Sequence, residues 1–326
     1  MKGIVDRLLR SAEPSVVFKV RVNVLGEDPE SRSIRALRRG IRTSPRVAAL
    51  LSERRSNGAI PWHPYAKWHG AHWVLATLAD IGYPPGDKAL VPLRDQVYEW
   101  LLSPRHFQKA TYEVNGRVRR CASQEGNALW SALALGIADE RADRLAAELV
   151  KWQWSDGGWN CDKRPEAAKS SFHETLIPLR ALALYGRLKA RKEALDAAGR
   201  AAEVFLKRSL FRRQSDGAVI NDDFLLLHYP AYWHYEVLAG LKVMAEAGFI
   251  RDARCGEALD VLESKRLPDG GFPAEAKYYR ATGKSTMTAG RSLVGWGGTG
   301  RRKMNEWVTA DALYVLAKAG RLAVAR

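Results

Sequence analysis

Imidazole and carboxyl side chains recur at equivalent places along this 326-residue chain. Each lies about three to four helical turns before a glycine that closes an apolar segment. These polar positions are His69 and His72, Gln124 and Glu125, His173 and Glu174, His234 and Glu236, and Asn305 and Glu306. Desolvation raises the pKa of a carboxyl group and a neighbouring imidazolium lowers it, so such pairs suit general acid and base catalysis. The candidate catalytic residues are Glu125, His173, Glu174, His234 and Glu306. Hydrogen bonds that cap or join helices are the alternative role.

Five apolar segments hold these positions and share a polar start, an apolar body and a closing glycine. They span residues 65–82, 121–136, 171–186, 232–248 and 305–320. Glycine adopts the positive φ that a helix end requires, so each segment is predicted to be a helix that ends at its glycine. Because they are apolar around most of their circumference, we expect them to lie inside the protein. Residues 14–26 also close on a glycine, but polar and apolar residues alternate there as in a strand, and this segment stays ambiguous.

Segments with one apolar stripe and a charged remainder separate the Gly-closed ones. They span residues 33–54, 88–102, 140–152, 191–210 and 251–265. Such a pattern is typical of helices that lie on the surface. Inner and outer helices that alternate through short turns predict an all-α fold, an α/α toroid (α6/α6 barrel) of about six helix pairs, over a single domain of residues 1–326. The polar starts would then share one rim around a central cavity, where a ligand site is expected.

One turn carries the most complete copy of a repeated motif. Its residues are Leu149, Gln153, Gly157, Gly158 and Trp159. This pattern resembles the QW motif of the terpenoid cyclase and protein prenyltransferase superfamily, and degenerate copies surround Gly58 and Gly270. The resemblance covers about residues 33–320. It implies a squalene cyclase-like toroid whose central cavity takes an isoprenoid or another apolar ligand.

The same resemblance implies roles for aromatic side chains near the starts of the inner segments. The candidate ligand-binding residues are Trp68, His72, Tyr232, Trp233 and Trp307. Aromatic faces could hold a carbocation, as in cyclases, or stack on sugar rings, as in other α/α toroids that process glycans. Core packing is the alternative. Class II cyclases protonate their substrate with the middle acid of an Asp-x-Asp-Asp motif, and Asn221-Asp222-Asp223 here lacks the first Asp.

Zinc is an alternative cofactor that the resemblance brings in, since protein prenyltransferases of this fold bind it with Asp, Cys and His side chains. The corresponding candidates here are Cys161, Asp162 and His173. Asp162 follows the cysteine directly, whereas the family's Asp precedes its cysteine by two residues. A buried free thiol is the other interpretation of Cys161. No further cofactor is predicted.

Composition indicates where the protein is located and which class of partner it binds. The net charge of +16 indicates attraction to something anionic, such as a phosphorylated ligand, nucleic acid or a membrane surface. The charge is spread over several repeats, and no nucleic-acid-binding motif is visible, which favours a small molecule. Three scattered cysteines make no disulfide framework, and neither a membrane-spanning apolar run nor a signal-peptide core is present. We therefore expect a cytoplasmic protein without a transmembrane segment.

Residues 274–303 are basic and rich in Gly, Ser and Thr, and a loop of this length is predicted to form a lid over the cavity. Three functions remain open. The first is an enzyme of cyclase or prenyltransferase type that uses acid-base catalysis on an apolar ligand. The second is a toroid that binds a ligand or serves as a scaffold without catalysis. The third is a glycan-processing enzyme with paired carboxylates such as Glu125 and Glu174.

Overall fold

The computed structural model describes residues 2–282 and 290–322, and most of them are helical. The inner layer of this part of the chain has six helical segments. They are α2 (Pro14–Phe18) with the π-helix Lys19–Val24, α5 (Ala71–Asp80), α8 (Ala122–Ala134), α10 (Phe172–Leu188), α12 (Val237–Ala247) and α14 (Glu306–Lys318).

The inner helices form a closed ring. Contacts run from α5 to α8, from α8 to α10, from α10 to α12 and from α12 to α14. The ring closes because α14 packs on the π-helix, whose Lys19 reaches Asp80 at the end of α5, 2.8 Å from Nζ to Oδ2. This arrangement confirms the predicted all-α toroid.

A second layer of helices surrounds the ring. It contains α3 (Arg32–Arg42), α4 (Pro45–Leu50), α6 (Val91–Leu102), α9 (Arg141–Lys151), α11 (Lys192–Leu206) and α13 (Gly256–Ser264). Helix α3 packs on α2, α6 on α5 and α8, α9 on α8, α11 on α10, and α13 on α12. Helix α1 (Lys2–Leu9) packs on α2 and the π-helix, and α7 (Pro104–Ala110) packs on α6.

The structure resolves the ambiguous segment 14–26 as the sixth inner element. It is helical, although its polar and apolar residues alternate as in a strand. The alternation misleads because Lys19 is not on a solvent face: its side chain is 2 % exposed and its ammonium group lies between two buried carboxylates. A polar residue therefore faces the centre of the ring.

Helix ends follow the glycine pattern with one exception. Gly82, Gly136, Gly248 and Gly320 have φ of +80°, +62°, +94° and +73°. Gly186 instead lies inside α10, which continues to Leu188. A Cβ on Gly186 would lie 2.7 Å from Cγ of Leu195, so this glycine allows the close approach of α11. The predicted outer helix 33–54 is also two helices, because Ser44 caps a new start at Pro45.

The turn that carries Gln153 and Trp159 joins three helices. Gln153 Nε2 donates to the carbonyl oxygens of Gly157 (2.7 Å) and Ala197 (2.8 Å). Trp159 Nε1 donates to the carbonyl oxygen of Leu149 at 2.9 Å. Leu149 belongs to α9, Ala197 belongs to α11, and the turn leads into α10. The motif thus fixes the spacing between neighbouring repeats.

Short elements complete the description. They are the antiparallel hairpin β1 (Tyr112–Val114) and β2 (Arg117–Arg119), the parallel pair β3 (Arg280–Ala281) and β4 (Arg291–Ser292), and the 3-10 helices Lys88–Leu90, Asp222–Leu225 and Ala253–Cys255. The predicted lid 274–303 contains residues 283–289, which lie outside the described residues. Its described part adjoins the inner rim, where Trp68 Nε1 donates to the carbonyl oxygen of Tyr278 at 2.9 Å. Within the described ranges, no helix has the length and apolar character needed to cross a membrane.

Candidate functional site

A cavity of about 100 Å³ lies inside the ring of inner helices. Its walls are mainly apolar and aromatic. They include Trp73, Trp130, Leu176, Trp233, Val243 and Val308. A dry apolar cavity of about 150 Å³ can take up one benzene molecule, so this cavity encloses a group of about four to six heavy atoms.

Buried charged side chains close one end of the cavity. The cations are Lys19, Arg180 and Lys242, and the anions are Asp80, Glu246 and Asp311. Lys242 Nζ donates to Asp80 Oδ1 at 2.6 Å and to Asp311 Oδ2 at 3.0 Å. Lys19 Nζ donates to the same two carboxylates at 2.8 and 2.9 Å, and Arg180 joins Asp80 to Glu246. We call these six residues the ion network. Its positive and negative charges are equal in number, so it offers no net charge to a ligand.

Imidazoles line the cavity toward the starts of the inner helices, about two turns from the ion network. They belong to His173, His228 and His234. The Tyr278 ring stacks on His234, with ring centres 4.0 Å apart, and meets His228 edge-on at 4.8 Å. His228 Nδ1 lies 3.2 Å from the carbonyl oxygen of Leu226, which assigns the proton to Nδ1 and a lone pair to Nε2. His228 Nε2 and His234 Nδ1 are buried and have no hydrogen-bond partner among the described residues.

The imidazoles at one end of the cavity and the carboxylate Asp80 at the other end have different ionisation states. Burial lowers the pKa of His228 to about 4 and that of His234 to about 4, and it also lowers the pKa of His173. These imidazoles are therefore neutral at neutral pH and can accept a proton. Burial alone would raise the pKa of Asp80, but the three cations of the ion network outweigh it and hold that pKa well below its ordinary value. Asp80 is therefore an ionised carboxylate and not a proton donor.

A second polar cluster lies behind one wall of the cavity. Trp233 lines the cavity, and its Nε1 donates to Glu174 Oε1 at 3.2 Å. The Sγ atoms of Cys121 and Cys161 and a carboxylate oxygen of Glu174 all lie within 4.8 Å of one another. Glu174 also accepts hydrogen bonds from the Ser123 backbone N (3.0 Å) and from Cys161 Sγ (3.7 Å). Two thiols and a carboxylate are a donor set that can hold a metal ion. We call Cys121, Cys161 and Glu174 the thiol–carboxylate cluster.

The predicted catalytic residues fall in different places. The two histidines line the cavity, and Glu174 lies behind Trp233. Glu125 is buried against Arg120, which donates to it from Nε at 2.9 Å, and burial raises the pKa of Glu125 against the effect of the arginine. Glu306 accepts a hydrogen bond from Ser11 Oγ at 2.9 Å. Neither Glu125 nor Glu306 is among the residues that line the cavity.

We call the polar residues at the starts of the inner segments the polar ring. Two further members of it cap inner helices. Glu236 accepts hydrogen bonds from the backbone N of Leu238 and of Ala239, both at 2.7 Å, at the start of α12. Asn305 accepts one from the Trp307 backbone N at 3.0 Å at the start of α14. Burial raises the pKa of Glu236 to about 8. Helix capping thus accounts for part of the polar ring.

Three of the five predicted ligand-binding residues belong to two stacked aromatic pairs around the rim. Trp68 stacks on Tyr232 at 4.4 Å, and Trp307 stacks on Tyr229 at 5.0 Å between ring centres. Tyr232, Tyr229 and Trp233 line the cavity, whereas Trp68, Trp307 and His72 stand behind that first layer. His72 is the one histidine of this set. Its Nε2 pairs with the side-chain amide of a cavity residue, Asn127, at 3.0 Å.

The predicted zinc ligands do not all come together. Asp162 accepts hydrogen bonds from exposed Arg164 at 2.5 and 3.0 Å, because the two residues share a tight turn. The His173 ring packs on Trp233, with ring centres 4.6 Å apart. Of the three, Cys161 is the one that belongs to the thiol–carboxylate cluster.

His72→Gln is expected to make the free energy of unfolding less dependent on pH, by the contribution of one titrating group. Burial lowers the pKa of His72 to about 3 in the folded protein, while an unfolded imidazole titrates near 6.5. As pH falls below about 6.5, His72 binds a proton in the unfolded chain but stays neutral in the folded protein. The free energy of unfolding therefore decreases by about 1.4 kcal/mol per pH unit toward pH 4. Urea unfolding of wild type and variant between pH 4 and pH 7 measures the difference in slope. Equal slopes for wild type and His72→Gln would contradict the assignment.

Several residues of the site escaped the sequence analysis. The ion network, His228 and Cys121 are the main ones. The signal for the ion network was present: Asp80, Lys242 and Asp311 are isolated charges within otherwise apolar inner segments. His228 precedes the repeated polar position by six residues of loop, so the repeat gave no reason to select it.

Comparisons with known proteins leave the family open. No family model matches the chain, and no curated protein matches it. Among solved structures, the chain is similar to a variant of the type II terpene cyclase MstE from Scytonema, in complex with its substrate geranylgeranyl dihydroxybenzoate. The sequences are 16 % identical, 96 % of this chain and 100 % of that chain are covered, and the TM-score is 0.29. A TM-score this low supports no conclusion about activity, so the toroid fold rests on the ring of helices itself.

Proposed function

We propose that the protein binds a small, largely apolar molecule that carries one hydroxyl group, such as the alcohol end of an isoprenoid, in the central cavity. The observation that carries this proposal is that two histidines of the mainly apolar lining each have a buried ring nitrogen, His228 Nε2 and His234 Nδ1, without a hydrogen-bond partner among the described residues. Buried polar atoms in folded proteins almost always have a hydrogen-bond partner. The ligand's polar group supplies that partner here, and the apolar walls take up its hydrocarbon part.

Proton removal by an imidazole is a chemistry that fits this cavity. The neutral imidazoles of His228 and His234 can act as general bases toward a bound molecule. Indole rings of the cavity wall such as Trp233 would stabilise positive charge that develops on the ligand, as in a cyclase or prenyltransferase. Initiation by Asp80 is not supported, because that carboxylate is ionised.

The volume of the cavity limits what it can enclose. About 100 Å³ accommodates roughly one five-carbon unit with its hydroxyl group, but not a long isoprenoid chain. A longer ligand would place one end in the cavity and the rest outside it. Tyr278 covers this end of the cavity through its stack on His234, so we propose that residues 274–303 act as a lid whose Tyr278 is displaced when a ligand enters.

A matched pair of probes tests the binding proposal. We expect 3-methyl-2-buten-1-ol to bind about 5- to 10-fold more tightly than 2-methyl-2-butene, because one hydrogen bond to an imidazole contributes about 1 kcal/mol. Replacing either histidine with phenylalanine, in His228→Phe and His234→Phe, keeps the ring stacking and removes the nitrogens, so the preference for the alcohol falls. Titration followed by NMR measures both affinities, with exposed His63→Phe as the control. Equal affinities in wild type, or an unchanged preference in both cavity variants, would contradict the proposal.

A non-catalytic toroid is the second candidate, and the use of the polar ring favours it. Glu236 and Asn305 cap helices and Glu125 pairs with an arginine, so these groups are committed to structure. Mass spectrometry of reaction mixtures separates the two candidates. A product formed from isoprenoid alcohols or diphosphates by wild type, and absent with His234→Phe, indicates catalysis. Binding without any product indicates a binding protein.

A phosphate on the ligand would need a cation outside the ion network. Lys67 is suited to this role because its ammonium group lies 5.0 Å from the centre of the Trp233 ring, beside the cavity. If the ligand is phosphorylated, prenyl phosphate should bind more tightly than the alcohol to wild type, and Lys67→Met should abolish that difference.

Glycan processing by Glu125 and Glu174 has less support from the geometry. Both side chains are almost completely buried, and neither lines the cavity. A glycosidic bond has to lie between two accessible carboxyl groups. We therefore do not extend the proposal to glycans.

A further inference from the structure

Glu174 is a carboxylate buried near the ring that has no cation beside it among the described residues. It is 2 % exposed, and its hydrogen bonds come from a backbone amide, an indole and a thiol. Glu125 is equally buried but pairs with Arg120, and Asp80 and Asp311 share the lysines of the ion network. Among the described residues, no ion pair of Glu174 is present. A buried carboxylate needs a cation or a proton, so a cation bound beside Glu174 would stabilise its ionised form.

Two thiols stand where that cation would be. Cys121 caps the start of α8, Cys161 follows the turn at Trp159, and Glu174 lies in the first turn of α10, so three separate segments converge. Their donor atoms lie within 4.8 Å of one another. Two thiolates bound to one tetrahedral zinc ion at about 2.3 Å stand about 3.8 Å apart, so small side-chain rotations bring the donors into range.

We propose that Cys121, Cys161 and Glu174 bind one zinc ion. Binding requires both thiols to lose their protons, so Zn²⁺ enters and two protons leave to solvent, with a third if Glu174 was protonated. The resulting site has two thiolates, one carboxylate and Zn²⁺, with a net charge of −1, and the positive ends of α8 and α10 face it. Thiolate donors select zinc over magnesium and calcium. Three protein ligands leave a fourth position to water.

This donor set differs from the one that the sequence resemblance implies. Asp162 pairs with Arg164, and His173 packs on Trp233, so neither stands with Cys161 in the cluster. Cys121 takes part instead, from a different inner helix. The metal would tie the starts of α8 and α10 together directly behind Trp233, and it does not depend on which ligand the cavity binds.

The test measures metal content directly. Native mass spectrometry and elemental analysis of wild type, stripped with a chelator and reconstituted with zinc, should give one zinc per chain. Cys121→Ser, Cys161→Ser and Glu174→Gln should each lower the zinc affinity at least 100-fold. Cys255→Ser is the matched control, because Cys255 is a buried thiol of α13's start that lies outside the cluster, and it should keep full occupancy.

A second measurement on wild type keeps the proposal testable if a variant does not fold. Cobalt in place of zinc should give the charge-transfer absorption of two thiolate ligands, and zinc binding to the stripped protein should release at least two protons. A wild-type protein that takes up no zinc would overturn the proposal. So would zinc that stays bound in both Cys121→Ser and Cys161→Ser, or a Cys121–Cys161 disulfide found in the freshly purified protein under non-oxidising conditions.

Discussion

Asp80→Asn lowers the free energy of unfolding by about 3–5 kcal/mol, which is the usual cost of breaking a buried ion pair from one side. The substitution keeps the shape of the side chain and removes its charge. Lys19 and Lys242 then share a single carboxylate, Asp311, where solvent access is small. Tyr229, whose hydroxyl group donates to Asp80 at 2.8 Å, also loses its charged acceptor. Urea denaturation at neutral pH measures the loss.

A double variant separates charge balance from a general loss of structure. Asp80→Asn combined with Lys242→Met removes one charge of each sign, so it should be more stable than Asp80→Asn alone. The exposed pair Lys192 and Asp196 supplies the control: Asp196→Asn should change stability by about 0.5 kcal/mol or less. If Asp80→Asn costs no more than Asp196→Asn, the ion network does not stabilise the ring.

The ion network also predicts the direction of a pH effect. The folded pKa of Asp80 lies below the unfolded value, because the three cations outweigh the effect of burial. Its stabilisation is therefore complete above pH 3.8, the unfolded value, and is lost as pH falls through the lower folded value. Wild type and Asp80→Asn should accordingly converge in stability in strong acid, which acid titration monitored by circular dichroism can follow.

Gly157→Ala is expected to destabilise the protein by about 2–5 kcal/mol. Gly157 has a φ of +104°, where an L-residue with a Cβ is strained. A Cβ there would also overlap the carbonyl oxygen of Arg200 and lie 2.9 Å from its carbonyl carbon. These are backbone atoms of α11 that cannot rotate away, so the turn would have to separate from α11. Thermal and urea unfolding measure the change.

A second glycine nearby gives the opposite expectation. Gly199 lies within α11, and a Cβ on it would meet no atom within 4 Å. Gly199→Ala should therefore raise stability by about 0.5–1 kcal/mol, because alanine loses less freedom than glycine in a helix. A Gly157→Ala variant as stable as Gly199→Ala would show that the turn at Gly157 tolerates a side chain, against the geometry.

The fold could be predicted from sequence because its rules are local and repeated. An apolar body and a closing glycine predict each of the five inner helices, and four of those glycines have the expected positive φ. Two of the departures have non-local causes. The sequence pattern places Lys19 on the surface, because its partners Asp80 and Asp311 are distant in sequence. The pattern predicts a helix end at Gly186, because the contact with Leu195 is not visible from it.

The site was harder to predict because its members meet across the ring. The sequence selected His173 and His234 because both occupy the repeated polar start of an inner segment, and both line the cavity. The repeat could not tell them apart from Glu236 or Asn305, which cap helices, because a cap and a catalytic group use the same residue types at the same place. Cys121 comes next to Cys161 through the packing of α8 against α10, which no local spacing encodes.

The closure of the ring sets the order in which the protein can assemble on the ribosome. Lys19 and Asp80 emerge early, but Asp311 follows Lys19 by 292 residues. Until that last inner helix is released, the growing chain is an open arc whose apolar inner faces lack a neighbour, and contacts this distant in sequence form slowly. We expect chaperones to hold the nascent arc, and cooperative burial of the charges to wait for the final helix.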